Sequence, residues 1–246
     1  MPDWRPLIVR REDGFPRIMG VLNITPDSFF EDSRSNNISE TIKIAESMIQ
    51  NGADWLDIGG ESTRPGANPV KEEEEISRVI PVIRELRKRF PKVGISVDTR
   101  RAKVAALSLE EGADMINDVS ALSDQNMINV VKQSDCCICL MHMKGLPENM
   151  QNNPQYDDVV TEVRRKLNEK VSLLLEEGIN QERIIVDPGI GFGKSLEHNL
   201  LLLKSGREII PLSNIKLMWG VSRKSMFSEL LGRIEARDRL AGTLGI

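Results

Sequence analysis

Residues Ile184-Ile-Val-Asp-Pro-Gly-Ile-Gly-Phe-Gly-Lys-Ser195 decide how the rest of the chain is read. A short β-branched run ends in an acid, Asp187; Pro188 stops it and a glycine-rich loop follows. Runs of this length, bounded by Pro and Gly, are buried strands rather than helices. The loop invites two phosphate-binding readings and satisfies neither. A P-loop ends in Gly-Lys-Ser, as Gly193-Lys194-Ser195 does, but needs a glycine where Pro188 stands. The dinucleotide fingerprint needs a longer gap than the alternating Gly189, Gly191 and Gly193 provide. What remains is an acid at the carboxyl end of a buried strand, with a mobile loop beyond it.

The same unit recurs outward from there. Trp55-Leu-Asp-Ile58, Gly94-Ile-Ser-Val97, Met115-Ile-Asn-Asp-Val119 and the segments 17–24, 136–143 and 216–221 all read as strands. Helical spacing follows several of them, as in Ile76, Val79, Ile80, Ile83 and Leu86. Asn51-Gly-Ala-Asp54 and Glu111-Gly-Ala-Asp114 repeat one helix-stop-then-strand phrase, and Glu177-Gly-Ile-Asn180 is a looser copy. At the front, residues 7–10 and 17–22 flank Asp13-Gly14, which predicts a hairpin. Ser39 is placed to cap the first helix, with Gly52 closing it. Strands alternating with helices imply a parallel sheet with right-handed crossovers. Polar residues close nearly every strand: Asn23, Asp57, Asp98, Asn117, His142, Asp187 and Ser222. A closed barrel gathers such ends at one mouth, whereas an open doubly wound sheet scatters them. The expected fold is therefore an α/β, (β/α)8 TIM-barrel type, a single domain over residues 1–246 with an N-terminal hairpin. Seven strands are found, so the eighth strand and last helix are expected to be missing.

The 246 residues fit one such barrel, which takes about 250. A formal charge of −4 shows no basic excess and argues against a nucleic-acid or membrane-surface role. No apolar run approaches the roughly 20 residues that span a bilayer, and no charged leader is seen. Cys136, Cys137 and Cys139 share one apolar run and read as buried small hydrophobes, since no second Cys/His cluster completes a zinc site. An odd number of thiols suits a reducing cytosol, so the expected location is cytoplasmic.

Asp57-Ile-Gly-Gly-Glu-Ser-Thr-Arg-Pro-Gly66 is the most informative loop. Its two glycines permit a sharp turn, Glu61 and Arg64 can pair, and Thr63 and Arg64 offer donors to an anion; an ordinary loop with a surface ion pair is the competing reading. Ser222-Arg-Lys-Ser225 follows a strand and is read as opening a helix, where N–H groups, a hydroxyl and two cations would meet a carboxylate or phosphate. A plain capped helix start is its alternative. Asp98, Asn117 and Asp187 supply acceptors and an amide suited to the donor-rich edge of an amino-oxo heterocycle, although each acid could equally cap the next helix. His142 reads as packed and His198 as lying on a helix surface, which leaves little for histidine-based hydrolysis. Lys71-Glu-Glu-Glu-Glu75 reads as a helix start favoured by its dipole, not an acidic site.

In order along the chain, Met19-Gly-Val-Leu-Asn-Ile-Thr-Pro-Asp-Ser-Phe29, residues 57–66, Ile95-Ser-Val-Asp-Thr99 and Ile116-Asn-Asp118 precede Leu140-Met-His-Met143, residues 187–194, Gly220-Val-Ser-Arg-Lys-Ser225 and Arg239-Leu-Ala-Gly-Thr243. Together they closely resemble the dihydropteroate synthase family. The resemblance implies condensation of 6-hydroxymethyl-7,8-dihydropterin diphosphate with p-aminobenzoate, with Mg2+ as cofactor and release of diphosphate. It also implies residue roles. Asp98, Asn117, Met141, Asp187, Phe192 and Lys224 would hold the pterin; Phe29, Thr63, Pro65 and Ser222 would hold p-aminobenzoate. Asn23 and Arg64 would bind the diphosphate, Asn23 also the metal, and Arg64, Lys224 and Asp98 would carry the catalysis. The partners are these small molecules, with no nucleic acid and no membrane, and a homodimer is a state open to the family. Phe30-Glu31-Asp32-Ser33 departs from the family's Ser-Asp-Gly-Gly, and the family's closing Arg-Val-His-Asp strand is not found. A methyltetrahydrofolate-type methyltransferase and a non-catalytic pterin-binding subunit are the alternatives.

Overall fold

The computed structural model describes residues 3–24, 34–62, 69–145, 149–210, 212, 215–232 and 235–246, without the side chains of 5, 6 and 34–37. Phe29, Phe30, Glu31, Asp32, Ser33, Thr63, Arg64 and Pro65 lie outside the described residues. Internal contacts divide the chain into two units, one of Met1–Ser62, Asn68–Asp118 and Leu122–Ile138, the other of Thr63–Ala67, Val119–Ala121 and Cys139–Ile246.

The first unit alternates β1 (Met19–Asn23), α1 (Arg34–Gln50), β2 (Trp55–Gly59), α2 (Glu72–Arg89), β3 (Gly94–Asp98), α3 (Ala102–Glu110), β4 (Met115–Asp118) and α4 (Asn126–Lys132). Its strands pair in parallel, with Met19 opposite Trp55, Trp55 opposite Gly94 and Ser96 opposite Met115. Every residue of β2 and β4 is buried, as expected of strands covered on both faces. On α2, Val79, Val82, Ile83 and Leu86 form the buried stripe; Glu72–Glu75 sit in the first turn and Arg87, Lys88 and Arg89 in the last, matching the dipole. The repeated Gly-Ala-Asp phrase has a repeated task. Asp54 accepts from the Ile18 N–H at 2.8 Å and pairs with Arg11 and Arg17. Asp114 accepts from the Ile95 N–H at 2.9 Å and pairs with Arg87. Each acid stitches the foot of its own strand to that of the preceding one.

β5 (Cys137–Met141) joins the two units in sequence. Within the first, the Cys137 N–H donates to the Asp114 carbonyl; within the second, the His142 N–H donates to the Asp187 carbonyl, both at 2.9 Å. The second unit continues with α5 (Val159–Glu176), β6 (Ile184–Asp187), α6 (Leu196–Lys204), α7 (Gly206–Ile209), β7 (Lys216–Leu217), α8 (Met226–Leu231) and α9 (Leu240–Leu244). β6 and β7 are parallel, with Val186 opposite Leu217, and strand order follows chain order from β1 to β7. The three cysteines are buried and unoxidised. No helix among the described residues is long and apolar enough to cross a membrane.

Four local expectations need correction. Residues 7–10 do not form a strand, so there is no N-terminal hairpin: Arg5–Ile8 is a 3-10 turn with a proline in its first positions, where a missing N–H costs nothing. The Asp13-Gly14 turn does form, with Gly14 at φ +81 and donating to the Arg11 carbonyl. The segment's carbonyls are used differently, Leu7 accepting from the Trp55 indole at 2.9 Å and Val9 from Arg17. Ser39 does not cap α1, which already starts at Arg34. The seventh strand is two residues long instead of six, and Ser222 does not open a helix. Arg223 adopts a left-handed φ of +50, which breaks the helix there, and α8 starts at Met226.

Candidate functional site

In the first unit the polar strand ends form an acid-rich cluster. Asp57 is buried within β2, where its Oδ2 accepts from Asn117 Nδ2 at 3.1 Å. Burial raises the Asp57 carboxyl, and the Ser96 hydroxyl opposite it in register and the Asn117 amide draw it part of the way back. Asp98 closes β3. Burial first, and then the charges of Asp57, Glu75, Asp118 and Glu61, hold its carboxyl well above the carboxylate range. Gly59 sits between two of the expected ligands: a Cβ there would lie 3.4 Å from Asn23 Oδ1 and 3.7 Å from Asp98 Oδ2, so the glycine leaves that space open.

Beside this cluster lies a network that the sequence did not reveal. Glu61 pairs with Arg100 at 2.8 Å and Arg101 at 3.1 Å and accepts from the Val70 N–H at 2.8 Å. Although burial works against it, these partners leave the Glu61 carboxyl below its usual range. Glu61 is thus held by Arg100 and Arg101, while Arg64, the partner its spacing suggested, lies outside the described residues. Glu75, last of the acidic run, is fully buried and pairs with Arg101, so one member of that run does more than serve the helix dipole. Spacing within the run could not single it out; only the i, i+4 positions Glu75 and Val79 sharing the buried face of α2 hint at it.

In the second unit Asp187 closes β6, buried, with its Oδ1 accepting from the Gly189 N–H at 2.7 Å. Burial raises its carboxyl too, but here Lys224 and Lys194 oppose the shift. Lys224 Nζ stands 4.1 Å from the Phe192 ring centroid, a cation–π contact. A Cβ on Gly191 would touch the Lys224 stem at 3.4 Å, and one on Gly220 would lie 3.3 Å from Asp187 Oδ2. Glycines therefore keep faces open beside both charges. Met141 ends β5, buried, and Ser222 is exposed in the turn before α8.

The glycine loop is closely packed and hydrogen-bonded. Gly189 has φ +70, and an added Cβ would overlap the His142 carbonyl oxygen; the same holds for Gly193 against Lys144. Three successive loop carbonyls are taken: Gly191 by Gln151, Phe192 by Lys194 at 3.0 Å and Gly193 by the Tyr156 hydroxyl at 2.9 Å. His198 is not a bystander, forming a capping box with Ser195 and an edge contact with Tyr156. His142 is packed as expected, and burial and then Lys194 push its imidazole down to about 3. Among the described residues no group of three or more His, Cys, Asp or Glu could hold a metal ion.

Comparison with known proteins gives a consistent result. The family model described as "Pterin binding enzyme" matches residues 19–246. The dihydropteroate synthase of Escherichia coli strain K12 is 44% identical over 229 residues, 93% of this chain and 80% of that protein. Dihydropteroate synthase of Xanthomonas albilineans, solved with 4-aminobenzoic acid, superposes with a TM-score of 0.85 at 40% identity, covering 94% of this chain and 81% of that one. That of Burkholderia cenocepacia, complexed with 7,8-dihydropteroate, gives 0.83 at 39% identity, covering 94% and 80%.

Proposed function

We propose a mechanism from one premise: the chain belongs to the pterin binding enzyme family and, within it, to the dihydropteroate synthases of folate biosynthesis, with their (β/α) barrel-type fold. The reaction joins p-aminobenzoate to 6-hydroxymethyl-7,8-dihydropterin diphosphate and releases diphosphate. An arylamine is neutral at pH 7, so its lone pair needs no strong base. The barrier lies in expelling diphosphate from a carbon whose developing positive charge the pterin ring spreads. Catalysis is then orientation together with stabilisation of the leaving group.

The observation that carries this reading is the Asp187–Lys224–Phe192 group, with its open glycine faces at Gly191 and Gly220. A carboxylate accepts from the ring's amino and N–H donors, the lysine donates to its oxo or ring-nitrogen acceptors, and the aromatic ring and Met141 offer apolar contact. Family membership adds Asp98 and Asn117 to pterin recognition. It assigns Phe29, Thr63, Pro65 and Ser222 to p-aminobenzoate. Ser222 would act through its exposed hydroxyl, because no helix start lies there. Arg64 would hold the diphosphate.

Mg2+ is part of the proposal through Asn23. The residues fit a lightly held ion: the Asn23 amide oxygen faces the space at Gly59, with the Asp98 carboxyl close by, and Mg2+ there would keep waters and substrate phosphates as its other ligands. Bound there, the ion would neutralise charge on the departing diphosphate. The proposal also takes in a cytoplasmic location and a homodimer.

A coupled assay for diphosphate release with both substrates tests the function. Release that requires both is expected; pterin binding without release would replace the enzyme reading with a non-catalytic pterin-binding one. Arg64→Ala is expected to lower kcat by about 100-fold, the cost of losing one charge-stabilising donor.

A further inference from the structure

Lys194 belongs to the Gly-Lys-Ser end of the glycine loop, and no step above uses it. Its side chain is 3% exposed, an unusual position for a lysine. Nζ lies 3.0 Å from His142 Nδ1, 3.3 Å from the His142 carbonyl oxygen and 3.0 Å from the Phe192 carbonyl oxygen. An ammonium has three N–H donors and no acceptor, and it meets three acceptors here; a neutral amine could satisfy only two of them as donor. Donation from the ammonium to Nδ1 would leave the His142 proton on Nε2. The backbone agrees, since Gly189 passes so close to the His142 carbonyl that no Cβ fits between them. One cation therefore ties the exit of β5 to the carbonyl of the residue whose ring faces Lys224.

We propose that Lys194 is a positioning residue for the pterin: by binding the His142 ring and the Phe192 carbonyl it fixes the glycine loop so that Phe192 and Lys224 stand ready for the heterocycle. The inference rests on the pterin reading of Asp187, Phe192 and Lys224. Gln151 and Tyr156 hold the neighbouring carbonyls of Gly191 and Gly193, but only Lys194 is bonded to that of Phe192 among the described contacts. Asp187 attracts the Lys194 cation while Lys224 and Lys144 repel it. A lysine in this place is thus poised between holding the loop and yielding its charge.

The test uses the full chain with Lys194→Met and, as a second variant that keeps one donor, Lys194→Gln. Dihydropterin binding is measured by calorimetry, and the KM of each substrate by diphosphate release. The expected result is dihydropterin binding weaker by about tenfold in Lys194→Met, a smaller loss in Lys194→Gln and an unchanged KM for p-aminobenzoate. Equal rises in both KM values, or wild-type pterin binding in both variants, would overturn the proposal. Nitrogen-15 histidine spectra of the wild-type chain give a readout that needs no variant at Lys194. The sequence has two histidines, so His198→Gln assigns both. His142 is expected as the Nε2–H tautomer, and a proton found on Nδ1 would sink the clamp. If the wild-type chain binds no pterin, the substrate reading fails, and the tautomer still decides whether Lys194 donates to His142.

Discussion

The acids that close β3 and β6 start from the same sequence signal and end in opposite surroundings. Asp98 has carboxylates around it, those of Asp57, Glu75, Asp118 and Glu61, and is held toward its protonated form. Asp187 has Lys194 and Lys224 near it, and they oppose the effect of burial. Both carboxyls are raised, Asp98 by burial and then by its acidic neighbours, Asp187 by burial that the Gly189 N–H, Lys224 and Lys194 only partly oppose. Burial alone would have pushed both the same way; the charge of the neighbours separates them. The backbones differ as well. Beside Asp98 a Cβ on Gly59 would meet its neighbours only at ordinary contact distance, while in the loop after Asp187 Gly189 and Gly193 are packed against carbonyls.

The largest expected effect tests that backbone difference. Gly189→Ala combines a positive φ with overlap onto the His142 carbonyl, and should cost more than about 3 kcal/mol, enough to unfold the chain or abolish soluble expression. Gly59→Ala should fold with a near wild-type melting temperature, because its Cβ meets Asn23 and Asp98 only at ordinary contact distance. Equal loss of stability in the two would show that both loops are packed alike. Next come the charges beside Asp187. Asp187→Asn and Lys224→Ala should each weaken dihydropterin binding by about 10- to 100-fold, the usual cost of losing a charged hydrogen-bonding partner, with the KM for p-aminobenzoate little changed. Calorimetric titration checks it, and binding within twofold of wild type would take the pterin away from this group.

A smaller effect should appear in stability against pH. Burial brings the Lys194 ammonium down to about 7 in the folded chain, against 10.5 for a free lysine. A depressed lysine is a penalty to the folded state, present in full below pH 7, where the folded chain must carry the buried charge. Between 7 and 10.5 the unfolded chain holds the extra proton, so the penalty is relieved as pH rises. The unfolding free energy of wild type relative to Lys194→Met should therefore climb by up to about 1.4 kcal/mol per pH unit above 7. Denaturant titrations of both chains from pH 6 to 9 measure this, and a flat difference would mean that Lys194 is not desolvated.

Much of this architecture could be read from spacing because the physics there is local. Several strands end on a polar residue, β1 at Asn23, β3 at Asp98 and β6 at Asp187, and the Gly-Ala-Asp phrases announce helix stops whose acids then bind the preceding strand. What spacing could not show is which partner wins a charge. Glu61 pairs with Arg100 and Arg101, some forty residues away, which no local spacing announces. The Gly-Lys-Ser tripeptide looked like a failed phosphate loop because the His142 acceptors lie more than fifty residues distant. Ser222 was misplaced for a conformational reason, since Arg223 adopts positive φ without being glycine. The expected hairpin gives way to a 3-10 turn with a proline at its start, whose Leu7 carbonyl accepts from the Trp55 indole far along the chain.

The smallest effect is expected at Asp98, and it is the sharpest probe of the comparison. If Asp98 keeps its proton, Asn is close to a replica, with one acceptor oxygen and a donor in nearly the same volume. Asp98→Asn should then change dihydropterin binding by less than about threefold, under roughly 0.7 kcal/mol, where Asp187→Asn costs ten times or more. The pH dependence should agree in sign. A carboxyl raised in the folded state stabilises it at low pH, and that contribution is lost as pH climbs from the unfolded value of 3.8 toward the folded one. Wild type should therefore lose stability relative to Asp98→Asn as pH rises above about 4, the reverse of the Lys194 trend. A large binding loss in Asp98→Asn, with no such drift, would mean that Asp98 is ionised and that the two strand ends present the same acceptor after all.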